Sequence, residues 1–242
     1  MNTLKMKFET IDSYKDKIKG VTVLYPGGFK PLTGAHIHMV DRYLDHPDVK
    51  KVVLFISPGK RDEVNADDAY KIVKGVLKDR DVEIVLDKNS YSPILAVYRW
   101  IEEEGREPGK YALASSTKGE DYKRVKEFTK NYESDKFGKN LPKGVKVVEL
   151  PIDADPMTYP DGTPISASRA RQDIKQNNFK KFKENYPGLD EKIVKAIWKK
   201  LKPKPSKDIE EAGLTNFTVS KGQRGYEEIY PSQKYKSIKN VY

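Results

Sequence analysis

The stretch Val21–Val40 holds the residues of this sequence whose types and spacing best suit the binding of a phosphate. Two glycines, Gly27 and Gly28, follow an apolar run, and Thr33 and His36 come soon after them. Glycines leave backbone N–H groups accessible, and the N-terminus of a following helix attracts anions. Thr33 and His36 are three residues apart, so they share a face of a first helical turn. The pattern favours phosphate chemistry, but a strand–helix turn that merely contains a histidine also fits it.

A second candidate stretch is Ile165–Arg171, with the sequence ISASRAR. Ser166 and Ser168 precede Arg169 and Arg171 at what reads as the start of a helix. Free N–H groups, hydroxyls and guanidinium groups together form a clamp for an oxyanion. Taken alone, such a Ser-x-Ser-x-x-Arg pattern is more often only a capped helix.

Two further places carry groups that suit a phosphate. Lys60 and Arg61 follow the second predicted strand, and Ser115 and Ser116 follow the fourth. In an open parallel sheet, ligands bind at the carboxyl ends of the strands. A solvated basic loop explains Lys60 and Arg61 equally well. For Ser115 and Ser116, an ordinary turn with a helix cap is the simpler explanation on the residues alone.

The first stretch resembles a known motif. Tyr25–His36, YPGGFKPLTGAH, is similar to the first motif of the HIGH-type nucleotidyltransferases, G-x-F-D-P-x-[HT]-x-G-H, in the threonine form carried by bacterial phosphopantetheine adenylyltransferases. Lys30 stands where the family often has Asp, and Ala35 stands where it has Gly. The methyl group of Ala35 is expected to crowd a nucleotide that packs against the backbone.

The second stretch resembles the same family's I-S-S-T-x-I-R motif. Arg171 takes the arginine position, and Ala167 replaces a serine. The resemblance covers about Val21 to Gln176 and includes the nicotinamide-nucleotide adenylyltransferases. Sequences with the same Pro-Gly-Gly-Phe-Lys-Pro opening occur among cytidylyltransferase-like proteins of large tailed phages, which implies a phage origin and no particular substrate.

The resemblance implies an activity and roles for individual residues. A nucleoside monophosphate passes from ATP or CTP to a phosphorylated small-molecule acceptor, and pyrophosphate leaves. His36 is expected to donate a hydrogen bond to the α-phosphate, which Thr33 helps to orient. Lys30, at the tip of the loop, is expected to bind the acceptor phosphate, and Arg171 and Ser168 to hold the β- and γ-phosphates.

The other residues expected to contact the nucleotide are Tyr25, Gly27, Gly28, Phe29, Ser115, Ser116, Ile165 and Ser166. Mg²⁺ is expected to arrive with the triphosphate, because it keeps several waters and needs few protein carboxylates. No metal site made of protein residues is predicted.

The elements that must position these residues alternate between strand and helix. Apolar, β-branched runs predict strands at Val21–Tyr25, Val52–Ile56, Val82–Leu86, Tyr111–Ala114 and Val145–Leu150. Helical spacing predicts helices after Thr33, over about 66–78, from Ser92 to Glu102, and over 179–185 and 190–201, whereas 130–143 reads as a mobile surface loop. Five alternations predict an α/β fold: a doubly wound, Rossmann-like five-stranded parallel sheet with a helical C-terminal cap.

Composition bounds the classes of protein. The 242 residues predict one α/β domain over 20–202, a helical extension over 1–19, and an extended or disordered tyrosine-rich tail over 203–242. The chain has no cysteine, which excludes thiolate catalysis and zinc–thiolate sites. No apolar run approaches a membrane span or a signal peptide, so a cytoplasmic protein is expected, in the host cytoplasm if phage-encoded or in a virion.

Other functions remain open. A virion or scaffold protein that reuses the fold without catalysis and docks through its tail is the main alternative. A class I aminoacyl-tRNA synthetase shares the first motif, but this chain is too short for an anticodon domain. A net charge of +10 also permits nucleic-acid binding, which is not favoured, and a protein partner for the tail and a homo-oligomer are both left open.

Overall fold

The structure, a computed structural model, describes residues 20–115, 119–152 and 155–202. The predicted N-terminal extension, the predicted tail and Ser116 lie outside these residues. Within the described ranges, none of the helices combines the length and the apolar character needed to cross a membrane.

Five parallel strands form one sheet in the order β3-β2-β1-β4-β5. The strands are β1 (Val21–Gly27), β2 (Val49–Ile56), β3 (Val82–Leu86), β4 (Gly109–Leu113) and β5 (Val145–Val147). The central strands β1 and β2 are covered on both faces, as their continuous apolar sequences require. The predicted doubly wound parallel sheet is therefore confirmed.

Helices cover both faces of the sheet. They are α1 (Gly34–Leu44), α2 (Ala66–Val76), α3 (Pro93–Ile101), α4 (Gly119–Glu133), α5 (Asp135–Gly138), α6 (Ala167–Lys175), α7 (Phe179–Lys183) and α8 (Glu191–Leu201). The residues of α1, α2, α6, α7 and α8 pack into one apolar cluster, and those of α3 and α4 pack into another. The last three helices form the predicted C-terminal cap.

The predicted helix starts agree with the structure. Thr33 is the residue before α1, and Asn65 caps α2 by accepting a hydrogen bond of 2.7 Å from the amide of Asp68. Ser92 caps α3 in the same way, with Pro93 as the first helical residue, where its missing N–H costs nothing.

Three local predictions are wrong. The predicted surface loop at 130–143 contains the end of α4 and all of α5, because Phe128 and Tyr132, one helical turn apart, are buried and hold this polar segment against the sheet. The fifth strand ends at Val147 rather than Leu150. The first strand runs on through Pro26 and Gly27, which pair with the neighbouring β2.

A buried tyrosine fixes α1 against the end of β4. The hydroxyl of Tyr43 donates to the carbonyl of Ser115 at 2.9 Å and accepts from the amide of Ser115 at 2.8 Å. Tyr43 has no exposed surface, and burial raises its pKa to about 12. One hydroxyl thus bonds to both backbone groups of Ser115, two residues beyond β4, whose carbonyl also accepts from the amide of Ile152.

Replacing this hydroxyl is expected to destabilise the fold. Tyr43→Phe leaves the buried amide and carbonyl of Ser115 without that partner, and should lower the free energy of unfolding by about 1–3 kcal/mol. Urea unfolding measures the change. Tyr91→Phe is the matched control, because Tyr91 is 96% exposed. Equal stability of the two variants would contradict the role assigned to Tyr43.

Candidate active site

Phe29 shapes the loop between β1 and α1. Its ring is 1% exposed and contacts the rings of Tyr25 and His36 edge to face, at centroid distances of 5.3 and 5.1 Å. Its backbone lies in the left-handed region, with φ of 46°. A Cβ at Gly27 would lie 2.6 Å from this ring. Gly27 is therefore needed to make room for Phe29, and the side chain of Phe29 belongs to the core.

His36 is held by the residue that precedes α1. Its Nδ1 accepts a hydrogen bond from the amide of Thr33 at 3.0 Å and lies 2.9 Å from the Thr33 hydroxyl. The imidazole thus takes the place of the Glu or Gln in a capping box. Because Nδ1 accepts from an amide, the proton of the neutral ring is on Nε2. Burial lowers the pKa of His36 to about 4, which keeps the ring neutral at physiological pH.

The N-terminus of α1 has fewer free amides for binding an anion than the sequence predicts. The amide of Gly34 donates to the carbonyl of Asn185 at 2.8 Å, and the amides of Thr33 and His36 bond within the capping box. A Cβ at Gly34 would lie 2.9 Å from Pro187. The first turn is therefore packed against the segment between α7 and α8, and these three amides do not form an open anion-binding site.

Lys30 does not lie exposed at the tip of the loop, contrary to the prediction. Only 1% of it is exposed, and its ammonium donates to the carbonyl and, at 2.8 Å, to the hydroxyl of Ser57, just after β2. Burial and the nearby charge of Arg61 lower its pKa to about 8. The loop turns inward with the buried Phe29 and Leu32 on either side, which carries Lys30 toward the end of β2 rather than toward solvent.

Arg171 connects the two motifs. Its Nη1 donates to the carbonyl of Lys30 at 2.9 Å, across 141 positions of sequence, and its Nη2 donates to the hydroxyl of Ser168 at 3.1 Å. Its Nε donates to Asp62 at 2.6 Å. The structure therefore brings the second motif against the loop of the first.

The other predicted residues fall into different environments. Ser166 caps α6, accepting from the amide of Arg169 at 3.3 Å, and Ile165 is 7% exposed in the core. Ser115 is buried, with its amide bonded to Tyr43 rather than directed at a ligand. Tyr25 is half-buried, and Gly28 lies in open space, where an added Cβ would meet nothing within 4 Å.

Asn185 joins the helices that carry the two motifs. It has no exposed surface, and while its carbonyl accepts from Gly34, its side-chain amide donates to Asp173 on α6 at 2.9 Å. Tyr159 donates to the Asn185 side-chain oxygen. Neither residue stands out in the sequence, but Asp173 does give a usable pattern: it lies on the apolar face of α6 between Ala170 and Ile174, where a carboxylate needs a buried partner.

Asp62 and Lys175 are charged residues at the site that the sequence does not single out. Asp62 accepts from Arg171 with one oxygen and pairs through the other with Lys175 at 2.5 Å. These bonds lower the pKa of Asp62, those from Lys175 and Arg171 being the largest causes. Lys175 follows Arg171 by four residues, which places both on one face of α6, and that spacing is the one signal in the sequence that could have indicated a second cation.

No group of three or more His, Cys, Asp or Glu side chains that could hold a metal ion occurs among the described residues.

Comparisons with known proteins show the following. No protein-family model matches the sequence, and no curated protein matches it. Among solved structures, the fold is similar to Plasmodium falciparum nicotinic acid mononucleotide adenylyltransferase complexed with APC, at 12% identity and a TM-score of 0.41, covering 74% of this chain and 95% of that one. The same enzyme complexed with NaAD is similar at 12% identity and a TM-score of 0.40, with the same coverage of both chains. Likeness at this level carries no information on activity.

The half-buried, neutral His36 is expected to make stability depend on pH. Between pH 6.5, its ordinary pKa, and about 4, its value in the folded chain, the unfolded chain takes up a proton that the folded chain does not. Stability should therefore be complete above about pH 6.5 and fall by roughly 2–3 kcal/mol as the pH drops to 4.

His36→Gln isolates this effect, because glutamine fills the same place in a capping box without titrating. Urea unfolding across this range should show a steeper decline in the parent protein than in the variant. An NMR titration should assign to His36 the histidine signal that the variant lacks. Parallel stability curves, or a His36 signal titrating near pH 6.5, would contradict the assignment.

Proposed function

We propose that this protein is a nucleotidyltransferase that transfers a nucleoside monophosphate from ATP or CTP to a phosphorylated small molecule. The observation that carries the proposal is the hydrogen bond of 2.9 Å from Arg171 to the carbonyl of Lys30, which joins two phosphate-handling motifs at the carboxyl edge of a parallel sheet. Two motifs that resemble those of one family, together with the parallel sheet, support the proposal.

The reaction in this proposal is an in-line displacement. An oxygen of the acceptor's phosphate attacks the α-phosphorus, the bond from that phosphorus to the bridging oxygen breaks, and pyrophosphate leaves with the electron pair. Such a transfer needs positioning and neutralisation of charge more than it needs covalent participation of the protein. A neutral histidine, hydroxyls and buried cations suit that requirement.

The residues divide the work. His36 donates the Nε2–H to an α-phosphate oxygen as negative charge builds up, and Thr33 fixes the ring that does so. Arg171 and Ser168 hold the β- and γ-phosphates. Lys30 has a positioning role, since its ammonium bonds to Ser57 and its carbonyl orients Arg171. Mg²⁺ would be carried by the triphosphate and would offset its charge.

A binding screen tests the proposal directly. Thermal unfolding is measured with ATP, CTP, GTP and UTP, each with Mg²⁺, and a triphosphate at 100 times its Kd should stabilise the protein by about 2.7 kcal/mol. Pyrophosphate release with the best triphosphate is then followed across a panel of phosphorylated amines, sugar phosphates, pantetheine phosphate and pyridine mononucleotides. If no triphosphate stabilises the protein, the nucleotidyltransferase proposal is rejected in favour of a non-catalytic scaffold protein.

His36→Ala is expected to lower kcat by roughly 10²- to 10³-fold, the scale for loss of one donor to a developing oxyanion. Pyrophosphate release measures the change. His38→Ala is the matched control, because His38 lies on the same helix and no catalytic role is proposed for it. His36→Gln separates the loss of the helix cap from the loss of the proposed hydrogen-bond donor, because glutamine keeps the cap. Unchanged turnover in His36→Ala would remove His36 from the mechanism.

A further inference from the structure

Arg171, the cation expected to bind phosphate, is already bound to the carboxylate of Asp62. Arg171 is 13% exposed at its side chain and donates through Nε to Oδ2 of Asp62 at 2.6 Å. It donates two other hydrogen bonds, to the carbonyl of Lys30 and to the hydroxyl of Ser168, and these two bonds fix the plane of the guanidinium. Asp62 is thus the one anionic partner of Arg171 among the described residues.

Asp62 bridges two cations rather than pairing with one. Its Oδ1 lies 2.5 Å from Nζ of Lys175, one turn beyond Arg171 on α6. Two oxygens of a single anion are therefore bound by two cations on the same helical face. Phosphate oxygens accept hydrogen bonds from arginine and lysine in the same manner, and a polyphosphate offers more oxygens and more charge than a carboxylate.

The surroundings of Asp62 are strongly positive. Arg61 precedes it, and the charge of Arg61 reaches Lys30 closely enough to lower the pKa of that lysine. Arg171 and Lys175 bind Asp62 directly, and the single charge of Asp62 does not balance these two cations. Long-range Coulomb energy therefore favours a ligand with two or more negative charges at this position.

Asp62 is placed on a turn that can release it. Arg61 and Val64 exchange two backbone hydrogen bonds of 3.0 Å, which makes Asp62 and Glu63 the two exposed tip residues of a tight turn. Val64, 1% exposed, anchors the turn in the core. The tip lies between β2 and α2, so a shift of the tip breaks no pairing of the sheet.

We propose that Arg171 and Lys175 form the binding site for the terminal phosphates of a nucleoside triphosphate, and that Asp62 is the internal occupant which those phosphates displace. The inference rests on the proposed function for the identity of the ligand, and it adds Lys175 as a ligand of the phosphates. Asp62 in this arrangement sets the affinity of the site, because each phosphate that binds must replace two ionic contacts of the carboxylate.

Calorimetric titration with inorganic tripolyphosphate tests the site without a nucleoside. Asp62→Asn removes the charge, and asparagine tolerates the left-handed backbone found at this position, where φ is 51°. We expect this variant to bind tripolyphosphate roughly 5- to 30-fold more tightly than the parent protein. Glu63→Gln is the matched control: it removes the same charge from the other tip residue, which pairs with Lys60, and should change Kd by less than about twofold.

Two further variants complete the test. Arg171→Ala in the Asp62→Asn background should abolish the gain, and Lys175→Gln should weaken binding in that background. Weaker or unchanged binding by Asp62→Asn would overturn the inference, since it would mean that Asp62 positions Arg171 or contributes to the fold alone. Absence of tripolyphosphate binding by both the parent and Asp62→Asn would overturn it as well. Urea unfolding confirms that each variant is folded.

A parallel titration with Mg²⁺ and the nucleoside triphosphates separates this inference from the proposed function. Tighter tripolyphosphate binding by Asp62→Asn without binding of any nucleoside triphosphate would reject the nucleotidyltransferase and keep the anion site. If a nucleoside triphosphate binds and Asp62→Asn does not change its affinity, the proposed function is kept and the role of Asp62 is rejected.

Discussion

The arrangement of the site depends on Asn185, whose polar groups are all satisfied inside the protein. Its carbonyl accepts from the first residue of α1, and its side chain bonds to Asp173 of α6 and to Tyr159. An amide buried without partners costs several kcal/mol, so this residue is tolerated only where each of its groups meets a partner. The two motif-bearing helices therefore have one favourable relative position, and the bond between Arg171 and Lys30 follows from it.

Several polar side chains at this edge have hydrogen-bond partners within the protein. His36 is neutral and bonded to Thr33, Lys30 is bonded to Ser57, and Arg171 has three partners. These side chains are consequently fixed in orientation, which lowers the entropy lost when a substrate binds. A ligand that binds Arg171 must therefore exchange contacts rather than only add them, and its affinity depends on the difference between the two sets of contacts.

The sequence was sufficient for the fold because its signals there are local. Apolar runs located the strands, and Thr33, Asn65 and Ser92 located helix starts. It misjudged Lys30, because nothing local indicates that a lysine between Phe29 and Pro31 will turn inward. It overlooked Asp62, which pairs with Arg171, and Asn185, which accepts from Gly34. Each of these two contacts joins residues more than 100 positions apart, and such contacts are decided by packing of the whole chain.

The shortness of β5 affects how this sheet meets other molecules. Only Val145–Val147 forms the strand, paired with β4 at one edge of the sheet. A strand from a second molecule would find three residues to pair with there, too few for a stable addition, since ladders gain stability with length and with side-chain contacts on both faces. This edge is therefore a poor starting point for the strand-by-strand growth that leads to fibrils.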